Sequence, residues 1–207
     1  MLAPRDPSTP SSHRLVLFAH GAGLASSHAW MTGWAARLSS LGRVVTFDYP
    51  YMAAGKKRPD AHDTLVDAHR AALADARRAH RGPVVLAGKS MGSRIGCHVA
   101  LLEKVAALVC LGYPLVSQSG KLRDEVLRAL RTPILFVQGT RDSLCPLDEL
   151  AKVRARMSAP NELFVVEGGD HSLALSVAAR RTRSVTQAES DDDVLRAITT
   201  FVTRHAR

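Results

Sequence analysis

Short runs of apolar, often β-branched residues alternate along the chain with longer stretches in which apolar positions recur every three to four residues. That alternation is the signature of a mostly parallel sheet with helices on both faces, an α/β fold. The runs predict six strands, at Leu15–Ala19, Val44–Phe47, Val84–Ala87, Ala106–Leu111, Ile134–Val137 and Glu162–Val166. Between the first two, helical spacing predicts a helix carrying Trp30, Trp34 and Leu38, capped by Ser26 or Ser27. An amphipathic helix over Ala61–His80 turns Leu65, Ala68, Ala72 and Ala76 to the core. Further helices are expected over Met91–Leu102, about Leu122–Leu130, and Asp191–His205. The last is opened by Ser190 with Asp193 three residues on, in the manner of a capping box. The stretch Ala178–Ser190, basic and then acidic, reads as a mobile surface loop.

The third strand runs straight into Gly88-Lys89-Ser90-Met91-Gly92 and then a helix. A Gly-x-Ser-x-Gly pattern is common by chance, but a strand–turn–helix placement is the one that presents a strained, exposed nucleophile. The residues two before and two after the serine approach closely, so both must be small, and Ser93 and Gly96 keep the next turn slim. A serine hydroxyl needs a base to take its proton. In this arrangement the acid and the base follow the serine in that order, each on a loop after a strand. Asp142 lies after the fifth strand and His171 after the sixth, in Gly168-Gly169-Asp170-His171. The bland alternatives are that Asp142 merely closes the turn before Pro146 and that His171 is a surface histidine; the agreement of three placements outweighs both. Two backbone donors for an oxyanion are expected from Met91 and from the loop after the first strand, at Ala22 or Gly23, a choice the sequence leaves open. His20 begins that loop and is expected to shape it by hydrogen bonding. His62, His69, His80, His98 and His205 fall on helical stretches and read as solvated or packing residues. The direction of the Lys89 side chain cannot be read from the pattern.

Composition narrows the rest. The 207 residues suit one domain, with residues 1–13, rich in Pro and Ser, as a flexible lead and 14–207 as the globular unit. The lead lacks the apolar stretch of a secretory signal, and no run approaches the ~20 apolar residues of a membrane helix, so a cytoplasmic protein is expected. Three cysteines without framework spacing imply no disulfides, and neither a Cys-x-x-Cys nor a His-Glu-x-x-His pattern points to a metal; no cofactor is expected. A net charge of +9 reads as an arginine-rich solvated surface. No aromatic residues interleave with the basic ones, so nucleic acid is not an expected partner. The expected assembly is a monomer or a homodimer.

The phrases His20-Gly21-Ala22-Gly23, Phe47-Asp48-Tyr49-Pro50-Tyr51, Gly88-Lys89-Ser90-Met91-Gly92-Ser93-Arg94, Leu111-Gly112-Tyr113-Pro114-Leu115 and Gly169-Asp170-His171-Ser172 together resemble a small, lidless α/β-hydrolase group. That group is related to dienelactone hydrolases and to the hydrolase-like domains of testis-expressed and NSL-complex proteins. The likeness runs from about Leu15 to Phe201. It implies an α/β-hydrolase fold without a large cap domain. Dienelactone hydrolases use a cysteine nucleophile, so Ser90 argues against their substrate, and the group usually has Gly where Ser93 stands. The expectation is a serine hydrolase acting on a small carboxylester or thioester through an acyl-enzyme. Its alternative is a binding or scaffold protein that kept the fold without the activity.

Overall fold

In a computed structural model, residues 13–117 and 119–207 are described. The segment 1–13 expected to be a flexible lead therefore lies, save His13, outside the described residues. All six expected strands are present: β1 (Leu15–Ala19), β2 (Arg43–Phe47), β3 (Val84–Lys89), β4 (Ala107–Leu111), β5 (Ile134–Gly139) and β6 (Asn161–Val166). They form one parallel sheet in the order β2-β1-β3-β4-β5-β6. The four inner strands are buried at every position, while β2 and β6 at the edges are only partly covered. This is why the inner strands read as unbroken apolar runs: helices cover both faces, so neither side of the strand meets water.

Eight α-helices lie among the described residues: α1 (Ala29–Leu38), α2 (Pro50–Ala53), α3 (His62–Arg78), α4 (Met91–Leu102), α5 (Glu125–Ala129), α6 (Leu147–Arg154), α7 (Val177–Arg183) and α8 (Gln187–His205). Alternate strand residues feed two cores. Leu15, Leu17 and Leu86 pack with Leu65 and Leu73 of α3, Ile95 and Val99 of α4, and Leu150 and Val153 of α6. Val16, Phe18, Val85 and Leu135 pack on the opposite face with Met31 and Trp34 of α1 and Ile198 and Phe201 of α8. Cys97, Cys110 and Cys145 are buried free thiols.

Several expectations are corrected. The cap of α1 is His28, whose Nδ1 accepts from the Trp30 amide at 3.1 Å. Ser26 instead donates its own amide to Asp48 Oδ1 at 2.6 Å, tying the loop to the end of β2. The predicted helix over Leu122–Leu130 shrinks to α5, because Leu122 pairs with Val116 in an isolated bridge and Leu130 turns extended. Helices α2 and α6 were not expected; α2 starts on Pro50 at its first turn, a position that suits proline. The expected mobile loop Ala178–Ser190 is largely helical. Ser176 caps α7, accepting from the Ala179 amide at 3.0 Å. The capping box of the last helix is Thr186 with Glu189, not Ser190 with Asp193, so α8 begins four residues earlier than expected. Ser190 is buried inside its first turn.

Candidate active site

The elbow after β3 is built from its glycines. A Cβ on Gly88 would run into the backbone of Gly92 and Ser93, and one on Gly92 into the carbonyls of Ala19 and His20. With both positions bare, α4 starts hard against the sheet, and Ser90 sits between at φ 51°, ψ −114°. That conformation is strained for an L-residue and persists because the surroundings over-determine it. The Ser90 amide donates to Leu111 O at 3.1 Å, and the Ser93 hydroxyl donates to Ser90 O at 2.6 Å. The Ser93 side chain thus adds a hydrogen bond to the turn.

The three residues expected to act together do meet. Ser90 Oγ and His171 Nε2 are 2.8 Å apart, and His171 Nδ1 and Asp142 Oδ2 are 2.8 Å apart. An ionised carboxylate only accepts, so Nδ1 carries the imidazole proton and donates to Asp142. Nε2 then accepts from the serine hydroxyl, which is the tautomer a general base needs. The Asp142 carboxylate is fully buried, while a quarter of the His171 side chain faces solvent. Asp142 is fixed further by the Leu144 amide, donating to Oδ1 at 2.9 Å, and by Gln138 Nε2, donating to Oδ2 at 3.2 Å. The other end of the Gln138 amide accepts from Tyr113 N at 2.5 Å, so this one side chain links β5 to the loop after β4. The spacing of Asp142 from β5 is legible in the sequence. Gln138 was missed, and its signal was a lone amide at the end of an apolar strand.

The loop bearing His171 is clamped from several sides. Asp170 Oδ1 accepts from the amides of Ser172 at 2.7 Å and Ala174 at 3.0 Å. Trp30 Nε1 donates to Ser172 O at 2.9 Å. Lys89 turns inward and is 1% exposed, and its Nζ donates to His171 O while lying 5.6 Å from the centre of the Trp30 ring. Burial lowers its pKa to about 8, against the opposing pull of the Asp142 and Asp170 charges. Gly112, at φ 67°, leaves the room Lys89 and His171 occupy, since a Cβ there would meet His171 O and Lys89 Nζ.

Around the expected oxyanion position, the Met91 amide opens α4, and the amides of Ala22 and Gly23 lie in the loop after β1. None of the three donates to a protein acceptor among the described residues. His20 shapes that loop as expected. Its Nδ1 donates to Gly21 O at 2.8 Å and its Nε2 accepts from Tyr49 N at 3.1 Å. Burial lowers its pKa, outweighing the Gly21 carbonyl and Asp48, so it is neutral at pH 7. No cluster of three or more metal-ligating side chains occurs among the described residues, and no helix there is long and apolar enough to cross a membrane.

The fold recurs in solved structures. A serine hydrolase homologue from Coxiella burnetii superposes with a TM-score of 0.71 at 22% identity, covering 92% of this chain and 88% of that one. A dienelactone hydrolase from Anabaena variabilis gives 0.69 at 18% identity, over 95% and 88% of the two chains. The RedJ thioesterase of the prodiginine pathway in Streptomyces coelicolor gives 0.63 at 19% identity, over 97% and 90%. At such identities the likeness establishes the α/β-hydrolase fold alone. Residues 12–203 match the family described as Alpha/beta hydrolase domain, nearly the whole chain, and the protein belongs to that family.

Proposed function

We propose that this protein is a serine hydrolase that cleaves a carboxylester or thioester through an acyl-enzyme. The observation that carries the reading is the unbroken chain of two 2.8 Å contacts from Ser90 Oγ through the imidazole of His171 to the buried Asp142. In the first step Ser90 Oγ attacks the carbonyl carbon as its proton passes to His171 Nε2. Asp142 balances the imidazolium through Nδ1–H. The negative charge on the carbonyl oxygen falls to the Met91 amide and to Ala22 or Gly23, aided by the positive end of α4. His171 returns the proton to the leaving oxygen or sulfur, leaving the acyl group on Ser90. Water then repeats the sequence, giving the acid and restoring the hydroxyl. A small acyl group fits the absence of a cap: between β4 and β5 the described chain holds only the one-turn helix α5. Thioesterase chemistry occurs among the structural neighbours, in the RedJ thioesterase.

The test is hydrolysis of p-nitrophenyl esters of increasing chain length by wild type and Ser90→Ala. The substitution is expected to lower kcat by roughly 10⁶-fold, as loss of a triad serine does elsewhere. A fluorophosphonate probe should label the wild type and spare the variant. Absence of both turnover and labelling in the folded wild type would overturn the proposal.

A further inference from the structure

Helix α3, the helix α4 that Ser90 opens, and the segment Lys121–Val126 line a half-open cavity of about 300 Å³. Its polar lining is His62, Arg94, His98, Lys121, Arg123 and Glu125. Several arginines on this surface answer to carboxylates: Arg37 to Asp191 and Asp192, Arg70 to Glu103, Arg128 to Asp124, Arg204 to Glu162. Among the described residues neither Arg94, Lys121 nor Arg123 has an acidic partner within ion-pair distance, and Arg94 Nε is buried without any hydrogen-bond partner. Burial, and after it the Arg123 charge, lowers the pKa of Arg94, although the guanidinium stays charged. Burial and then the nearby His62 and Arg94 hold His98 down at about 4, so at neutral pH it is uncharged. His62 meets it edge-on at 4.3 Å between ring centres.

The partly buried Arg94, with its unpartnered Nε and the Arg123 charge beside it, is stabilised by an anion that joins the cluster. Three cations against the single carboxylate of Glu125 leave two positive charges, which match a phosphate dianion better than a carboxylate. Arg94 follows Ser90 by four residues on α4, so its Cα stands about 6 Å farther along the helix axis. We infer that this cavity binds a phosphate group carried by the substrate, with Arg94, Lys121 and Arg123 as its donors, while the scissile bond lies at Ser90. The inference rests on the proposed serine-hydrolase reading. Arginine is suited to the task because its planar fork can give a phosphate two parallel hydrogen bonds. Free inorganic phosphate has the same chemistry and would enter the same cavity as a competitor.

The test compares butyryl-coenzyme A with butyryl-N-acetylcysteamine, which share the thioester and differ in the phosphate-bearing arm. Wild type is expected to prefer the coenzyme A ester. Arg94→Gln and Arg123→Gln should each cut that preference about 10–100-fold, the scale of one charge-assisted hydrogen bond, mainly through KM. Arg43→Gln, at the exposed start of β2 and the opposite end of the sheet, is the control and should change neither substrate. Arg123 is half-exposed, so its variant decides the matter if Arg94→Gln fails to fold. An unchanged preference in both variants, or none in a wild type that cleaves the short thioester, overturns the inference. If wild type cleaves no ester or thioester at all, the hydrolase reading fails, and calorimetric titration with inorganic phosphate judges the cavity alone. Binding lost in Arg123→Gln would then uphold the phosphate site, and absence of binding to wild type would overturn it.

Discussion

Lys89 shows how much one side chain's direction decides. It occupies the variable position of the elbow, and nothing in the pattern Gly88-Lys89-Ser90 tells whether it faces water or protein. Folded, it is enclosed, and its ammonium bonds the carbonyl of the residue that carries the imidazole. Its pKa is lowered from 10.5 to about 8, chiefly by burial. Between these values the unfolded chain holds more protons than the folded one, so stability rises with pH across that window. Below about pH 8 both states are protonated, and the folded state bears the full cost of the buried charge. Denaturation at pH 7.5 to 10.5 should therefore show wild type gaining roughly 3 kcal/mol relative to Lys89→Met, the shift converted by linkage. Parallel curves for the two proteins would refute this. Ser90, Asp142 and His171 were legible because their order and their positions after strands are sequence properties. Gln138 and Trp30 were not, because both act through contacts between segments that only folding brings together.

Among the elements, the last helix is the clearest case of two local signals competing. Ser190 with Asp193 and Thr186 with Glu189 both offer a small polar residue followed three later by an acid. The structure uses the earlier pair: Glu189 N donates to Thr186 Oγ1 at 3.2 Å, and Thr186 N donates back to Glu189 Oε2 at 2.8 Å. The added turn places Gln187 where its side chain accepts from the Leu175 amide at 2.8 Å and donates to Leu173 O at 3.1 Å, anchoring the segment after His171. Thr186→Ala should therefore cost about 1 kcal/mol, the usual loss for an N-cap, read from the denaturation midpoint. Ser190→Ala should cost less than half as much, because its hydroxyl bonds no helix amide among the described residues. The reverse ranking would restore the later start. Helices α2, α5 and α7 are one or two turns long, too short for periodicity to distinguish from loop, and their limits follow from caps and packing.

Across the molecule, the core beneath α3 holds a buried histidine that links stability to pH. His69 on α3 is buried, and its Nδ1 shares a 3.1 Å hydrogen bond with the Tyr49 hydroxyl; its Nε2 has no partner among the described residues. Burial lowers its pKa from 6.5 to about 3. The folded state thus binds fewer protons than the unfolded one between these values. The stability this confers is complete above about pH 6.5 and is lost as pH falls toward 3. A His69→Gln variant should lose stability less steeply than wild type between pH 6.5 and 3, measured by urea midpoints; equal slopes would remove His69 as the cause. The alternation of apolar runs and amphipathic stretches was enough to specify the six strands and the α/β class. Apolar runs and helix faces are patterns of a local period, and reading them requires no distant contact. The order Ser90, Asp142, His171 along the chain likewise required only that each follow its strand. Tertiary structure alone decided the inward turn of Lys89, the Gln138 bridge to Asp142 and the gathering of Arg94, Lys121 and Arg123 around one cavity. Each of these joins residues from separate segments, and the free energy of such a contact exists only when the sheet and its flanking helices have already set the distance between them.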